Sequence, residues 1–223
     1  VTGASRGIGR AIALALGRAG ATVAGTATTE NGAAAISEYL AQAGITGAGY
    51  AMNVNDSAQA EAVVGGIQKQ FGDVLVLVNN AGLNILERQW ARLTPAGAEE
   101  VIDGNLSSAF YCSSAVLPMM RKQKDGVLIH TSSMAGRNIS LLSGPAYTAA
   151  KHGVVAMSHT INMEECVNGI RSSVVLPGEV ATPILDKRPV PITPAERKRM
   201  AQSEDVGELI RYVACQPAHI CIN

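Results

Sequence analysis

Short apolar runs alternate with longer segments of helical periodicity along the whole chain, and this alternation restricts its fold more than any other feature. The runs Ala21–Thr26, Gly49–Asn53, Val74–Val78, Gly126–Thr131 and Arg171–Leu176 read as strands. Segments near 7–19, 31–43, 56–71, 95–122 and 145–168 read as helices. Strands separated by helices are joined by crossovers, which makes them parallel and puts helices on both faces of the sheet. A length of 223 residues suits one such α/β domain, residues 1–223. Val1 reads as the last residue of a first strand and His219–Asn223 as the entry to another, so both termini are expected to be incomplete.

Charge narrows the function. The 18 Lys and Arg residues balance the 18 Asp and Glu residues, which gives neither a nucleic-acid footprint nor a polybasic membrane face. The run Arg121-Lys122-Gln123-Lys124 reads as a solvated helix end. Cys112, Cys166, Cys215 and Cys221 lack metal-ligand spacing and read as buried free thiols of a reducing compartment. No metal is expected, since His130 and His159 also lack a ligand-spaced partner, and His152 reads as structural. With no apolar run long enough to span a bilayer and no signal peptide, the expected location is the cytoplasm.

The segment Thr2-Gly3-Ala4-Ser5-Arg6-Gly7-Ile8-Gly9 leads from the first strand into a helix. In such a turn, backbone N–H groups and the positive helix end face a pyrophosphate. Gly3 allows the sharp turn, Gly7 the close approach of phosphate and Gly9 the packing of helix on strand. The duller alternative is a purely structural glycine turn. NAD sites carry a carboxylate at the end of the second strand, but here Gly25-Thr26-Ala27-Thr28-Thr29 has none, and Glu30 reads as a helix start. Small hydroxyl residues leave room for a 2′-phosphate that Arg6 can pair. The expected cofactor is therefore NADP(H), with NAD(H) as the alternative.

Tyr147 and Lys151 stand four residues apart, on one face of a helix. An ammonium beside a phenol favours the phenolate and so lowers the tyrosine pKa from its usual ~10. Such a tyrosine gives and takes a proton near neutral pH.

Together these motifs resemble the classical short-chain dehydrogenase/reductases, across essentially the whole chain. Thr2-Gly3-x-x-x-Gly7-Ile8-Gly9 matches the family's cofactor turn, with Ser5 and Arg6 inside it. Asn79-Asn80-Ala81-Gly82 matches its adenine-side motif, and Asn53-Val54 stands where Asp-Val is usual. Asn105, Ser133, Tyr147 and Lys151 match the catalytic tetrad, although Ser132 is a rival for Ser133 and Asn105 has a rival role as a helix cap. Pro177-Gly178, Val180 and Thr182 match the nicotinamide-side loop.

The resemblance implies a three-layer doubly wound Rossmann fold with a mostly parallel seven-stranded sheet. It implies interconversion of a ketone and a secondary alcohol by hydride transfer, with Lys151 and Asn105 serving Tyr147. It also implies a homotetramer built on the helices of Asn105 and Tyr147, where Ala109–Met120 and Ala149–Met163 are apolar around much of their circumference.

Within the family the first half is most similar to the 3-oxoacyl-[acyl-carrier-protein] reductases, and Arg6 with Thr28 resembles their NADP-phosphate pair. That likeness implies a 3-oxoacyl thioester substrate and acyl carrier protein as a partner. The second half departs from it. Asn168 replaces a basic residue that would meet the carrier, with Lys124 as a possible substitute for another, and the short lid near 185–200 carries Pro189, Pro191 and Pro194. The alternative is a polyol, sugar or hydroxy-acid dehydrogenase of the same family; a cofactor-binding regulator is a further rival. Glu179 replaces a residue near the nicotinamide that is often apolar, with contact to a polar substrate as the minor alternative, and Trp90 reads as a packing residue.

Overall fold

The computed structural model describes residues 1–187 and 191–223, so Pro189 lies outside the described residues. Strands β1 (Val23–Ala27) and β2 (Gly47–Ala51) pair in parallel, with Val23 opposite Gly47. Strands β3 (Val76–Asn79), β4 (Gly126–Thr131) and β5 (Ile170–Val175) form a second parallel sheet in the order β3-β4-β5.

Residues 1–4 close the seam between the two sheets. Thr26 N donates to Val1 O (3.0 Å), Ala4 N to Thr26 O (2.8 Å), and Thr2 N to Val78 O (3.0 Å). The spatial order is therefore β2, β1, residues 1–4, β3, β4, β5. The chain doubles back between residues 1–4 and β3, the place where open α/β sheets bind their ligands.

Helices cover both faces. α1 (Gly7–Arg18) and α8 (Ser203–Ala214) lie on one side, where Ile12, Val78, Val127, Ile129, Ile210 and Val213 pack together. α3 (Ser57–Phe71), α5 (Ser108–Gln123) and α6 (Pro145–Glu165) lie on the other, around Val64, Leu77, Val116, Leu128, Met157 and Ile161. Every residue of β4 is buried, as a strand covered on both faces requires. Each large apolar side chain taken from water contributes about 1.5–3 kcal/mol. α2 (Glu30–Gln42) starts where Thr29 Oγ1 accepts from Gly32 N, and it packs Ile36, Tyr39 and Leu40 beside β1.

The three layers and the parallel pairing agree with the expectation, but the strand count does not. The described residues hold five strands in two sheets rather than seven in one. Residues 1–4 are too few for a ladder, and three of them already belong to the glycine turn. Among the described residues the 219–223 segment forms no strand; Arg171 Nη1 instead donates to Gln216 O, Pro217 O and Ile220 O.

The expected helix 95–122 is broken into α4 (Pro95–Ile102), a π-helical turn (Asp103–Ser107) and α5. The segment expected to form a lid includes part of a 3₁₀ turn (Pro183–Lys187) and the short α7 (Pro194–Arg199). Two side-chain expectations fail. Cys112 is buried, but Cys166, Cys215 and Cys221 are exposed, because they stand at helix ends and in the C-terminal turn. Trp90 is 81% exposed in the loop after β3 and packs little.

Candidate active site

Three segments bring the four expected catalytic residues to one cleft. Tyr147 and Lys151 face it from the first two turns of α6, Ser133 from the segment after β4, and Asn105 from the π-helical turn. Asn105 caps no helix, as its rival reading would require. Its Nδ2 donates to Leu83 O (2.7 Å) and Val101 O (2.7 Å), and its Oδ1 accepts from Leu83 N (3.3 Å). The π-turn thus frees Val101 O for a side chain and ties α4 to the loop after β3. Gly82 lies between the two polar groups of this corner: a Cβ there would stand 2.6 Å from Asn105 Oδ1 and 3.4 Å from Lys151 Nζ.

The two serines divide their work. Ser132 is buried and donates to Lys151 O (3.0 Å), which fastens α6 to the end of β4. Ser133 is only partly buried, accepts from Ala135 N (3.2 Å), and engages the Tyr147 phenol. The geometry separates a structural Ser132 from a Ser133 that faces the phenol.

Lys151 is 4% exposed; its Nζ donates to Thr131 O (3.0 Å) and stands 5.6 Å from the centre of the Tyr147 ring. Burial pushes its pKa down to about 8. The expected lowering of the tyrosine pKa by Lys151 is not met. Burial pushes the Tyr147 phenol above its ordinary value, while its bond to Ser133 and the charge of Arg88 pull the other way. Desolvation is the larger influence on the phenol, and the ammonium is committed to Thr131 O.

Beneath the site lies a buried polar network that the sequence reading did not find. His130 on β4 is fully buried between Asn79 Nδ2 (3.2 Å from Nδ1) and Ser172 Oγ (3.1 Å from Nε2). Ser158 Oγ extends the chain to Ser172 Oγ (2.7 Å), and Asn79 Nδ2 also reaches Ser113 Oγ (3.1 Å). Burial, reinforced by the Lys151 charge, pushes the imidazole down to about 4.

The expected cofactor residues fall into two groups. Ile8, Asn80, Gly82, Pro177, Gly178, Val180 and Thr182 line the tetrad's cleft. Ser5, Arg6, Thr28 and Asn53 lie outside it, exposed around the carboxyl ends of β1 and β2, and Val54 packs partly against the core. Gly3 and Gly7 adopt φ of 65° and 55°, values that side chains disfavour.

Gly9 sits against Gly3 O and Asn80 Nδ2, where a Cβ would lie at 2.1 and 2.6 Å. Thr2 stitches turn and cleft together: its Oγ1 accepts from Asn80 N and Ala81 N, both at 2.9 Å, and its O accepts from Asn80 Nδ2 (3.0 Å). Pro177 O accepts from Met134 N (3.0 Å), and Thr182 faces Gly7 across the cleft mouth.

Beyond the expected residues, Asn84, Arg88, Leu142, Ser143, Ile184 and Leu185 line the same cleft, together with Glu179. Lys124 Nζ donates to Asn168 Oδ1 (2.6 Å), which brings together the two positions singled out for a carrier contact. Among the described residues no helix is long and apolar enough to cross a membrane.

Comparison with known proteins agrees with this architecture. The family model described as short chain dehydrogenase matches residues 1–190. The 3-oxoacyl-[acyl-carrier-protein] reductase of Escherichia coli (strain K12) is 38% identical over 224 residues, 98% of this chain and 89% of that protein. The enzyme of the same name from Haemophilus influenzae is 35% identical, over 98% of this chain and 90% of its own. The crystal structure of a metagenomic short-chain oxidoreductase in complex with NADP superposes with a TM-score of 0.85 at 30% identity, covering 100% of this chain and 91% of that one. The chain belongs to the short-chain dehydrogenase family, NAD(P)-dependent oxidoreductases that act on CH–OH groups.

Proposed function

We propose that the chain is an NADPH-dependent reductase that converts a ketone to a secondary alcohol, with a 3-oxoacyl thioester as its substrate. The observation that carries this reading is the convergence of Asn105, Ser133, Tyr147 and Lys151 on a cleft that also takes in Asn80, Gly82 and residues 177–182. The names of the similar reductases favour the thioester, and the NADP complex of the similar oxidoreductase favours NADP(H).

The residues present fit this cofactor. Gly3, Gly7 and Gly9 keep side chains out of the turn that would receive the pyrophosphate, at the start of α1. Arg6 and Thr28 would meet the 2′-phosphate, and both are exposed. Asn53, Val54, Asn80 and Ala81 would hold the adenine side, and Lys151 with 177–182 the nicotinamide side.

When bound, NADPH supplies the hydride that adds to the carbonyl carbon. Tyr147 Oη gives its proton to the carbonyl oxygen, so the C=O bond becomes CH–OH and a phenolate remains. A phenol that burial keeps protonated is the right form for this donation. Ser133 Oγ holds the same oxygen as negative charge develops on it. Lys151, whose proton is lost near pH 8, restores the phenol, while Asn105 fixes the floor of the cleft through Leu83.

A second reading, a polyol, sugar or hydroxy-acid dehydrogenase, is favoured by the polar wall of Asn84, Arg88, Ser143 and Glu179. Ile184 and Leu185 of the lid segment and Leu142 opposite favour an acyl chain. Phe110 on α5 and Met163 on α6, 48% and 80% exposed, support a homotetramer, and a light-scattering mass equal to the monomer would count against it.

The test is NADPH consumption with acetoacetyl-CoA beside NADH, in the wild type and in Tyr147→Phe. Turnover preferring NADPH is expected, with a loss of about 10²–10⁴-fold in Tyr147→Phe and NADPH binding kept. Activity that survives Tyr147→Phe overturns the mechanism. No turnover despite tight NADPH binding moves the substrate to the polyol and sugar class.

A further inference from the structure

Arg88 is one of the least exposed charged side chains of the molecule, at 6%. It stands in the loop after β3 and lines the cleft that Tyr147 faces. Its Nε donates to Ile85 O (2.6 Å) and its Nη1 to Leu142 O (3.5 Å). Asn84 Nδ2 donates in parallel to Ser143 O (3.0 Å). Gly144, the N-cap of α6, adopts φ 76° and presses on the same arginine: a Cβ there would lie 2.5 Å from Arg88 O and 2.9 Å from Arg88 Cβ. Two loops distant in sequence are thus locked together three residues before Tyr147.

We propose that Arg88 is a positioning residue for the reaction: it pins the start of α6 and sets a buried positive charge in the cleft that Tyr147 faces, favouring the phenolate left by proton donation. This rests on the reading of Tyr147 as the proton donor. A charge held away from water acts on its neighbours through a low effective dielectric, so one guanidinium there matters more than several on the surface. The direction of its pull on the phenol agrees.

Among the described residues, the other charged groups that line the cleft are Lys151 from α6 and Glu179 from the loop after β5. On the elements packed against α6, Glu99, Glu100, Asp103 and Arg137 are exposed and outside the cleft. Arg171 on β5 is engaged with the C-terminal turn.

Fluorine NMR of protein labelled with fluorotyrosine follows the phenol directly, with the resonance of residue 147 identified by its loss in Tyr147→Phe. Arg88→Met is expected to move that titration up by about one pH unit or more. Arg88→Lys should move it by less than half as much, and Asn84→Ala, which loosens the loop but keeps the charge, should leave it in place. If Arg88→Met does not fold, Arg88→Gln carries the same comparison. A midpoint in Arg88→Met equal to the wild type overturns the proposal, as does an Asn84→Ala shift equal to that of Arg88→Met. The rising limb of kcat/KM against pH for alcohol oxidation should shift in the same order. The NMR titration needs no turnover: a shift in Arg88→Met without acetoacetyl-CoA activity would retire the substrate and keep Arg88. Full activity in Tyr147→Phe with the same shift would retire the donor.

Discussion

Lowering the pH from 7 to 5 should weaken the fold through the buried imidazole of His130. His130 is neutral in its network: Nδ1 accepts from Asn79, and Nε2 donates to Ser172. A second proton would set Nδ1–H against the Asn79 amide hydrogens in the middle of a sheet covered on both faces. Burial and the Lys151 charge hold the folded pKa at about 4, against ~6.5 in an unfolded chain. Between those values the unfolded state binds the extra proton, so stability is present at neutral pH and falls as pH drops through ~6.5 toward 4. The loss between pH 7 and pH 5 works out at about 2 kcal/mol.

The choice of pH 5 matters for the assay. The carboxyl of Glu165 sits below its ordinary value because Arg121 donates to it, so its contribution is kept above the usual carboxylate range and lost only at lower pH. Urea unfolding at the two pH values and one protein concentration reads the difference, with His130→Gln as the comparison. A wild-type loss under ~0.5 kcal/mol, or an equal loss in His130→Gln, would refute the reasoning.

Gly9→Ala drives a methyl group into Gly3 O and Asn80 Nδ2. It should cost about 1–3 kcal/mol and weaken NADPH binding at least tenfold, as read by thermal unfolding and a fluorescence titration; an unchanged titration would remove Gly9 from the cofactor turn. Glu165→Ala removes a carboxylate only 7% exposed that receives Arg121 Nε (3.0 Å) and Nη2 (2.5 Å). Because the arginine is half exposed and returns to water, the loss in a urea midpoint should stay near ~1–2 kcal/mol, and a loss beyond ~4 kcal/mol would mean that the pair is more deeply desolvated than its exposure allows.

What was legible in the sequence followed from local pattern. β4 reads directly from six apolar-rich residues between helices, and the Tyr147–Lys151 spacing fixes their common face on α6. The cleft gathers the residues expected on the nicotinamide side because they follow the carboxyl end of a strand. The break at 103–107 was not legible, because the bonds that Asn105 makes to Leu83 cross between segments. α8 had its signals in plain view: a Gln202–Asp205 capping box before Val206, Ile210 and Val213 at helical spacing. Arg88 had none, since its role depends on Leu142 and Gly144, more than fifty residues away. The acidity of Tyr147 was misread because helical spacing reports proximity, whereas burial decides which charge state the site tolerates.

The seam between the two half-sheets gives cofactor binding a mechanical meaning. The four residues that join β1 to β3 run directly into the glycine turn, and Thr2 bonds to Asn80 and Ala81 on the far side. A dinucleotide lying over that turn would act as a rivet across the joint, gripping both halves at once. Its grip would therefore be measured as cohesion: backbone amides at Val78–Ala81 would open less often, and each tenfold excess of ligand over Kd would add about 1.4 kcal/mol to the free energy holding the halves together.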